Sequence, residues 1–262
     1  MTPFRVLLVV LGLALARPSG AAGPAEWTGF RGDAAEAVAA GDPARLHDLA
    51  ASLETLDEAP AGWTDYWSAY LHYRIGFLAD DAGSPAPALE TCIRHARAAV
   101  DASSGDGPLR AESQALLGVC HSGLAGTGPA ASMQHGQRAA MLRDESLLTA
   151  PDNPRVLILA GVQDVWTPVQ WGGSPERAER QLRRALEHLD REDPAPDWQP
   201  RWGHSDAIGH LALALEQLDR PDEARAVLDR ARADGRWNGW LDWVRTQIGV
   251  ADVNRSVDEP LR

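Results

Sequence analysis

The sequence predicts an all-α protein, built as a right-handed solenoid of about five helix pairs with a capping helix at its C-terminal end. Alanine and leucine dominate the 262 residues and β-branched residues are sparse, a composition that favours helix. Residues 205–238 form a 34-residue unit with small side chains at positions 8, 20 and 27 and large apolar ones at positions 7, 11 and 24. Two helices pack closely where small residues let their backbones approach. The small residues are Ala212, Ala224 and Ala231, and the large ones are Leu211, Leu215 and Leu228.

This spacing resembles the tetratricopeptide repeat, which has a period of about 34 residues. In residues 205–238, Pro221 fits the first turn of the second helix because its missing N–H is not needed there. The resemblance implies a stack of helix pairs, and we expect the rest of the chain to repeat the unit in a looser form.

The N-terminus has the features of a secretory signal peptide. Arg5 is a short positive region, residues 6–16 are an unbroken apolar run, and residues 18–22 are small and helix-breaking. We expect cleavage after Ala21 or Ala22, which places the mature protein in the periplasm or outside the cell. The alternative is an uncleaved anchor, but the run is shorter than the roughly 20 residues that span a bilayer.

Three regions follow from this assignment: a signal peptide at 1–22, a helical-repeat domain at 23–250 and a loose polar tail at 251–262. The formal net charge is −12, and removal of the leader's two arginines lowers it to −14. Such an acidic surface repels phosphate backbones, so nucleic-acid binding is not expected. The chain contains no lysine, which excludes a Schiff-base lysine and a phosphate-loop lysine.

The first three helices are predicted from their end signals. A helix over 26–40 ends at Gly41, and a second begins at Pro43 with Asp42 as its N-cap. A third is expected over 65–79, capped by Thr64. Its aromatic residues, Trp67 and Tyr70 among them, indicate either a well-packed core helix or the aromatic wall of a ligand groove.

The two cysteines lie on the next two predicted helices, 84–102 and 108–123. Cys92 and Cys120 are nearly equidistant from the turn at 102–107, so an antiparallel hairpin places them at the same height. In an oxidising compartment this favours a disulfide, and the alternative is two buried free thiols. The cysteine and histidine spacing does not indicate a zinc site.

A long loop distinguishes the central repeat. After a helix at 129–148, Asn153 caps and Pro154 opens the next helix, and its partner runs over 175–190. The loop between them, residues 165–173, is six residues longer than in an ordinary repeat. Long loops of repeat proteins often carry function.

The chain is also similar to an uncharacterised group of secreted bacterial proteins with degenerate tetratricopeptide repeats, over roughly residues 64–248. The resemblance implies a fold and a binding role, and it supplies no catalytic residues. It rests on Asn153 to Arg155, the loop Thr167 to Gly173, Trp202-Gly203, and the terminal helix that carries Trp240 and Trp243.

Two interpretations of the loop stay open. In the first, tryptophans of the loop and of the Pro-rich stretch 193–200 form an aromatic patch or shallow pocket, with Arg155 offering a contact to a carboxylate. In the second, the tryptophans only fill the interface between repeats. The candidate binding residues are Arg155, Trp166, Thr167, Trp171, Trp202, Trp67 and Tyr70.

The C-terminal end is predicted to be a capping helix over 238–248, which covers the last apolar face with Trp237, Trp240 and Trp243. No catalytic motif, phosphate loop or dinucleotide fingerprint is present, so we expect no catalytic residue, no metal and no cofactor.

The predicted function is a non-catalytic protein- or peptide-interaction module that binds a partner of the cell envelope along its concave face, without stable membrane insertion. The alternative is a small-ligand binding subunit of an envelope transport system that uses the loop 165–173. An enzyme would require clustered acids or histidines with perturbed pKa values in a cleft.

Overall fold

In the computed structural model, which describes residues 24–56, 59–78, 84–103 and 107–249, the chain is all-helical. The described residues form no strand, and two short 3-10 turns follow α2 and α7. The helices are α1 (Pro24–Ala40), α2 (Pro43–Ser52), α3 (Trp63–Leu78), α4 (Ala86–Ala102), α5 (Pro108–Ala125), α6 (Pro129–Thr149), α7 (Pro154–Trp166), α8 (Pro175–Leu189), α9 (His204–Gln217), α10 (Pro221–Ala233) and α11 (Gly239–Gln247).

The helices pack in sequential pairs, as the helical-repeat solenoid requires. Each helix packs on its neighbours in the chain, and α3, α5, α7 and α9 also touch one another in that order. We call these four helices, α3, α5, α7 and α9, the inner row. Helices that contact one another across repeats lie on the shorter side of a solenoid. Five pairs followed by the single helix α11 confirm the predicted architecture, and α11 also contacts α1.

The unit at 205–238 folds as its spacing predicts. The small residues Ala212, Ala224 and Ala231 are buried at the contact of α9 with α10, and Pro221 opens α10. The capping residues predicted for two further helices are confirmed as well: the side chains of Asp42 and Asn153 accept backbone N–H groups of α2 and α7. Asn238, which was not predicted as a cap, accepts a backbone N–H group of α11 in the same way.

The start of α3 differs from the prediction. The helix begins at Trp63, so Thr64 is not its cap. The carbonyl of Gly62 accepts the N–H of Tyr66 at 2.9 Å, which makes Gly62 the residue before the first turn. Trp63 is buried and joins the core as a helical residue, so packing of this indole moves the boundary.

The predicted disulfide is present. Cys92 of α4 and Cys120 of α5 are bonded, with their Cα atoms 6.4 Å apart, and both side chains are buried. The bond ties two successive repeats together. The predicted signal peptide at 1–22 and the tail at 251–262 lie outside the described residues, and so does Ala79 at the predicted end of α3.

The capping helix packs through one unusually close contact. Leu241 and Val244 of α11 are buried, and Trp240 lies across α9 at Gly209. A Cβ at Gly209 would come within 2.2 Å of the Trp240 Nε1 atom, so the close approach requires glycine at this position. Among the described helices, none has both the length and the apolar character that a membrane span needs.

Candidate functional site

The predicted site residues separate into two places. Trp67, Tyr70, Arg155 and Trp202 lie together on the inner row, where they contact other parts of the same chain. Trp166, Thr167 and Trp171 lie at the long loop, on or next to the surface. The tryptophans of the loop and those near the Pro-rich stretch therefore do not form one patch, because Trp198 and Trp202 contact α3 rather than the loop.

On the inner row, α3 presents Trp67 and Tyr70 to the stretch that connects α8 with α9. The Trp67 Nε1–H donates to the main-chain oxygen of Trp198 at 2.7 Å. The Trp202 ring stacks on Tyr70, with centroids 4.7 Å apart and planes 19° from parallel, and its Nε1–H donates to the Tyr66 hydroxyl at 3.1 Å. These aromatic residues thus bind a segment of their own chain.

Arg155 is buried beside the same stretch and is held by carboxylates of the protein. Its two terminal nitrogens donate to the two oxygens of Glu192 at 2.6 and 3.1 Å, a bidentate pair, and Glu112 lies 4.0 Å away. Burial disfavours the charge of Arg155, but Glu112 and Glu192 outweigh it and raise the pKa of Arg155. Burial also raises the pKa of Glu112, and Arg155 opposes this shift. The guanidinium is already engaged, so it presents no open contact to a ligand carboxylate.

A second buried ion pair crosses the inner row. Arg74 of α3 donates to the carboxylate of Asp206 at the start of α9, and both side chains are largely shielded from solvent. The pair joins residues 132 apart in the sequence. Together with the segment over α3, it ties α3 to the stretch between α8 and α9 and to the start of α9.

The loop after α7 carries an exposed aromatic surface. Trp166, Val169 and Trp171 are 48, 68 and 65% exposed, and Trp243 of α11 is 42% exposed. The Trp166 and Trp243 rings lie 6.4 Å apart, at 34° to each other, and Trp243 stacks on Trp240 at 5.2 Å. We call Trp166, Val169, Trp171 and Trp243 the Trp surface. A group of exposed apolar side chains marks a binding surface more often than a single exposed apolar residue does.

Backbone geometry and one buried carboxylate shape this loop. Gly172 has a φ of 95°, which favours glycine, and a Cβ at Gly173 would overlap the Thr167 carbonyl oxygen. Asp164, fully buried at the end of α7, accepts from Arg143 at 2.9 Å and from the Arg177 Nε–H at 2.7 Å. Arg177 also donates to the Gly172 carbonyl at 2.7 Å. Asp164 and Arg177 therefore fix the loop that presents Trp166 and Trp171.

A buried histidine lies under the Trp surface. The His210 ring is 5.0 Å from Trp240 and 6.4 Å from Trp166. Its Nδ1–H donates to the carbonyl of Asp206 at 2.8 Å. Burial lowers the pKa of His210 to about 4, so the imidazole is neutral at pH 7.

Sequence reasoning missed His210 and treated Trp243 only as part of the cap. Neither residue stands near the loop in the sequence, and no short-range pattern connects them to Trp166. Their proximity depends on the stacking of α11 on α9, which only the folded chain shows.

A separate pocket of about 310 Å³ lies between α2, α3 and α4 and is lined by His47, His72 and His95. The His95 Nδ1 is 2.7 Å from an Asp65 carboxylate oxygen, and the His72 Nδ1–H donates to the Ser68 carbonyl at 2.8 Å. No three His, Cys, Asp or Glu side chains of the described residues are placed to hold a metal ion.

No protein-family model and no curated protein matches the sequence. Among solved structures, the fold is similar to that of the HusA haemophore from Porphyromonas gingivalis, with a TM-score of 0.58 and 18% identity over 74% of this chain and 94% of that one. A weaker likeness is to the Assembly Chaperone of RpL4 (Acl4), with a TM-score of 0.39 and 15% identity over 89% of this chain and 99% of that one. The first likeness shows a shared helical fold, and the second is too distant to support an argument.

Proposed function

We propose that this protein is a non-catalytic binding protein that docks a protein partner on the Trp surface. The observation that carries the proposal is the joint exposure of Trp166 at the end of α7, Trp171 of the following loop and Trp243 of α11, with the loop held in place by buried polar contacts. Tryptophan is the side chain that most often dominates a protein interface, and a fixed loop loses little entropy on binding.

Two further features support the location and the class of this function. The Cys92–Cys120 disulfide fits an oxidising compartment, so we place the partner in the cell envelope or outside the cell. The inner row is covered in part by the chain's own segment between α8 and α9, whereas the Trp surface is open to solvent. No catalytic step is part of the proposal.

The test is a cross-linked pull-down with the mature chain, residues 23–262, from the envelope fraction of the source organism. We expect Trp166→Ala/Trp171→Ala to weaken the affinity for the captured partner at least about thirtyfold and so to reduce its yield, because the loss of even one hot-spot tryptophan costs about 2 kcal/mol or more. Met133→Ala/Leu148→Ala is the matched control, since both are highly exposed apolar residues of α6 and neither belongs to the Trp surface.

The control should leave the yield of the partner unchanged. Equal yields of the same partner with both double variants would refute the Trp surface as its docking site. Absence of any stoichiometric partner of the folded wild-type chain would refute the protein-partner function and favour the second candidate.

The second candidate is a small planar aromatic ligand at the same surface, such as an iron porphyrin. It is favoured by the exposed indoles of Trp166 and Trp243, 6.4 Å apart, and by the neutral His210 next to Trp166, whose Nδ1–H is anchored as in many metal-ligand histidines. The similar structure is also that of a haemophore.

Titration with haemin tests this candidate. We expect a saturable change of the haemin absorbance and quenching of tryptophan fluorescence, both weakened by Trp166→Ala and the absorbance change altered by His210→Ala. An absorbance change that rises linearly with haemin concentration would eliminate this candidate. So would a change that is the same in both variants as in the wild-type chain.

A further inference from the structure

The stretch between α8 and α9, residues 190–203, which we call the linker, runs along the inner row without forming a helix. It contains Pro194, Pro196 and Pro200 and a turn in which the Gln199 N–H donates to the Pro196 carbonyl at 3.0 Å. Prolines restrict the unbound conformations of such a segment and favour an extended form. Most of its residues stay partly or fully exposed, so the linker lies on the helices rather than inside the core.

The helices hold the linker largely through its main chain. The Trp67 indole donates to the carbonyl of Trp198 at 2.7 Å. Arg31 of α1 donates to the carbonyls of Asp197 and Gln199 at 3.3 and 3.5 Å. Contacts to main-chain carbonyls do not depend on the side chains of the bound segment, and recognition domains use them to hold extended peptides.

Side chains of the linker supply the specific contacts. Trp202 stacks on Tyr70 and donates to the Tyr66 hydroxyl, and Glu192 is clamped by Arg155 in a bidentate pair. An aromatic anchor with a polar tip and a carboxylate held by arginine are the features of a peptide bound in a groove.

The surface beneath the linker is polar and incompletely satisfied. The Nε atoms of Arg74 and Arg155 and one Glu112 oxygen are buried without a hydrogen-bond partner among the described residues. Each such atom costs about 1–3 kcal/mol. A surface that served only as core would be more stable with apolar residues of similar volume, so these polar groups suit a surface that receives hydrogen-bonding segments.

From these contacts we infer that the inner row is a peptide-binding groove that the protein's own linker occupies. Its external partner is an extended segment of another protein with a carboxylate followed, six and ten residues later, by aromatic side chains, as in Glu192, Trp198 and Trp202. This groove is distinct from the Trp surface, and the inference does not depend on the docking proposed there. A partner of this chemistry displaces the linker and takes over its contacts.

The tether makes the linker a strong competitor. A segment attached close to its own site acts at an effective concentration in the millimolar range. The wild-type chain should therefore bind a free peptide weakly, and a chain whose linker has lost its anchors should bind the same peptide at least about tenfold more tightly.

The test uses the mature chain and a fluorescein-labelled peptide with the sequence of residues 190–203. In the opened variant, residues 191–202, which include Glu192, Trp198 and Trp202, are replaced by glycine and serine at the same length. We expect saturable anisotropy with this variant, at least about tenfold tighter than with wild type, and loss of binding when both tryptophans of the peptide are alanine. Trp166→Ala/Trp171→Ala in the opened background should leave peptide binding unchanged, which separates this groove from the Trp surface.

Circular dichroism first establishes that the opened variant is folded. If it is not, Trp202→Ala, which removes one anchor and keeps the other linker contacts, takes its place under the same criteria. A folded variant that binds the peptide no more tightly than wild type, or that binds the alanine peptide equally well, would overturn the inference.

Discussion

Asp164→Ala is expected to lower the free energy of unfolding by about 3–5 kcal/mol, the usual effect of removing one partner from a buried ion pair. The carboxylate is fully buried and accepts hydrogen bonds from Arg143 and Arg177. Its loss leaves the largely shielded Arg143 with only the exposed carboxylate of Asp144, 3.0 Å from its Nε, as a partner. It also releases Arg177, which holds the carbonyl of Gly172. Urea unfolding followed by circular dichroism measures the change.

Asp222→Ala is the matched control, because Asp222 pairs with Arg225 at 2.8 Å on the solvent-exposed start of α10. Exposed pairs contribute little to stability, so the midpoint of unfolding should not move. If Asp164→Ala shifted the midpoint no further than this control, the carboxylate would not be what fixes the loop. A second readout is the Trp surface: partner capture should fall with Asp164→Ala, because Trp166 and Trp171 lose their support.

His210 should make the protein sensitive to acid. Burial lowers its folded-state pKa to about 4, whereas an unfolded histidine titrates near 6.5. Below the unfolded value the denatured chain binds a proton that the folded chain does not, so stability is complete above about pH 6.5 and falls as the pH decreases towards 4. The shift corresponds to a loss of about 3 kcal/mol across that window.

His210→Asn keeps a donor for the Asp206 carbonyl but does not titrate. Urea unfolding between pH 7 and 4 should therefore show a dependence that is shallower than that of wild type by about 1.4 kcal/mol per pH unit. His47→Asn, at an exposed position of α2, is the control and should retain the wild-type slope. A slope that His210→Asn leaves unchanged would contradict the prediction.

Local sequence determined most of the fold. The caps Asp42 and Asn153 act through backbone groups two or three residues away, so their positions in the sequence suffice to place the starts of α2 and α7. The alanines of the 205–238 unit are a local signal too. Side chains three or four residues apart share one helix face, so their spacing predicts a close helix pair. Cys92 and Cys120 could be paired because residues at equal distances from the turn lie opposite each other in an antiparallel helix hairpin.

Tertiary structure decided where binding can occur. The sequence selected Trp67, Tyr70, Arg155 and Trp202 as candidates, but their roles depend on contacts such as Trp67 with Trp198 and Arg31 with Asp197, which join residues 131 and 166 apart. Such contacts arise from the way successive repeats stack and bring the linker over α3, and no periodicity within one repeat encodes that stacking. By itself, the sequence thus determined a stack of helix pairs with defined ends and a disulfide. Only the folded chain showed that the inner row is occupied by its own linker while the tryptophans of the loop meet solvent, because both depend on packing between repeats.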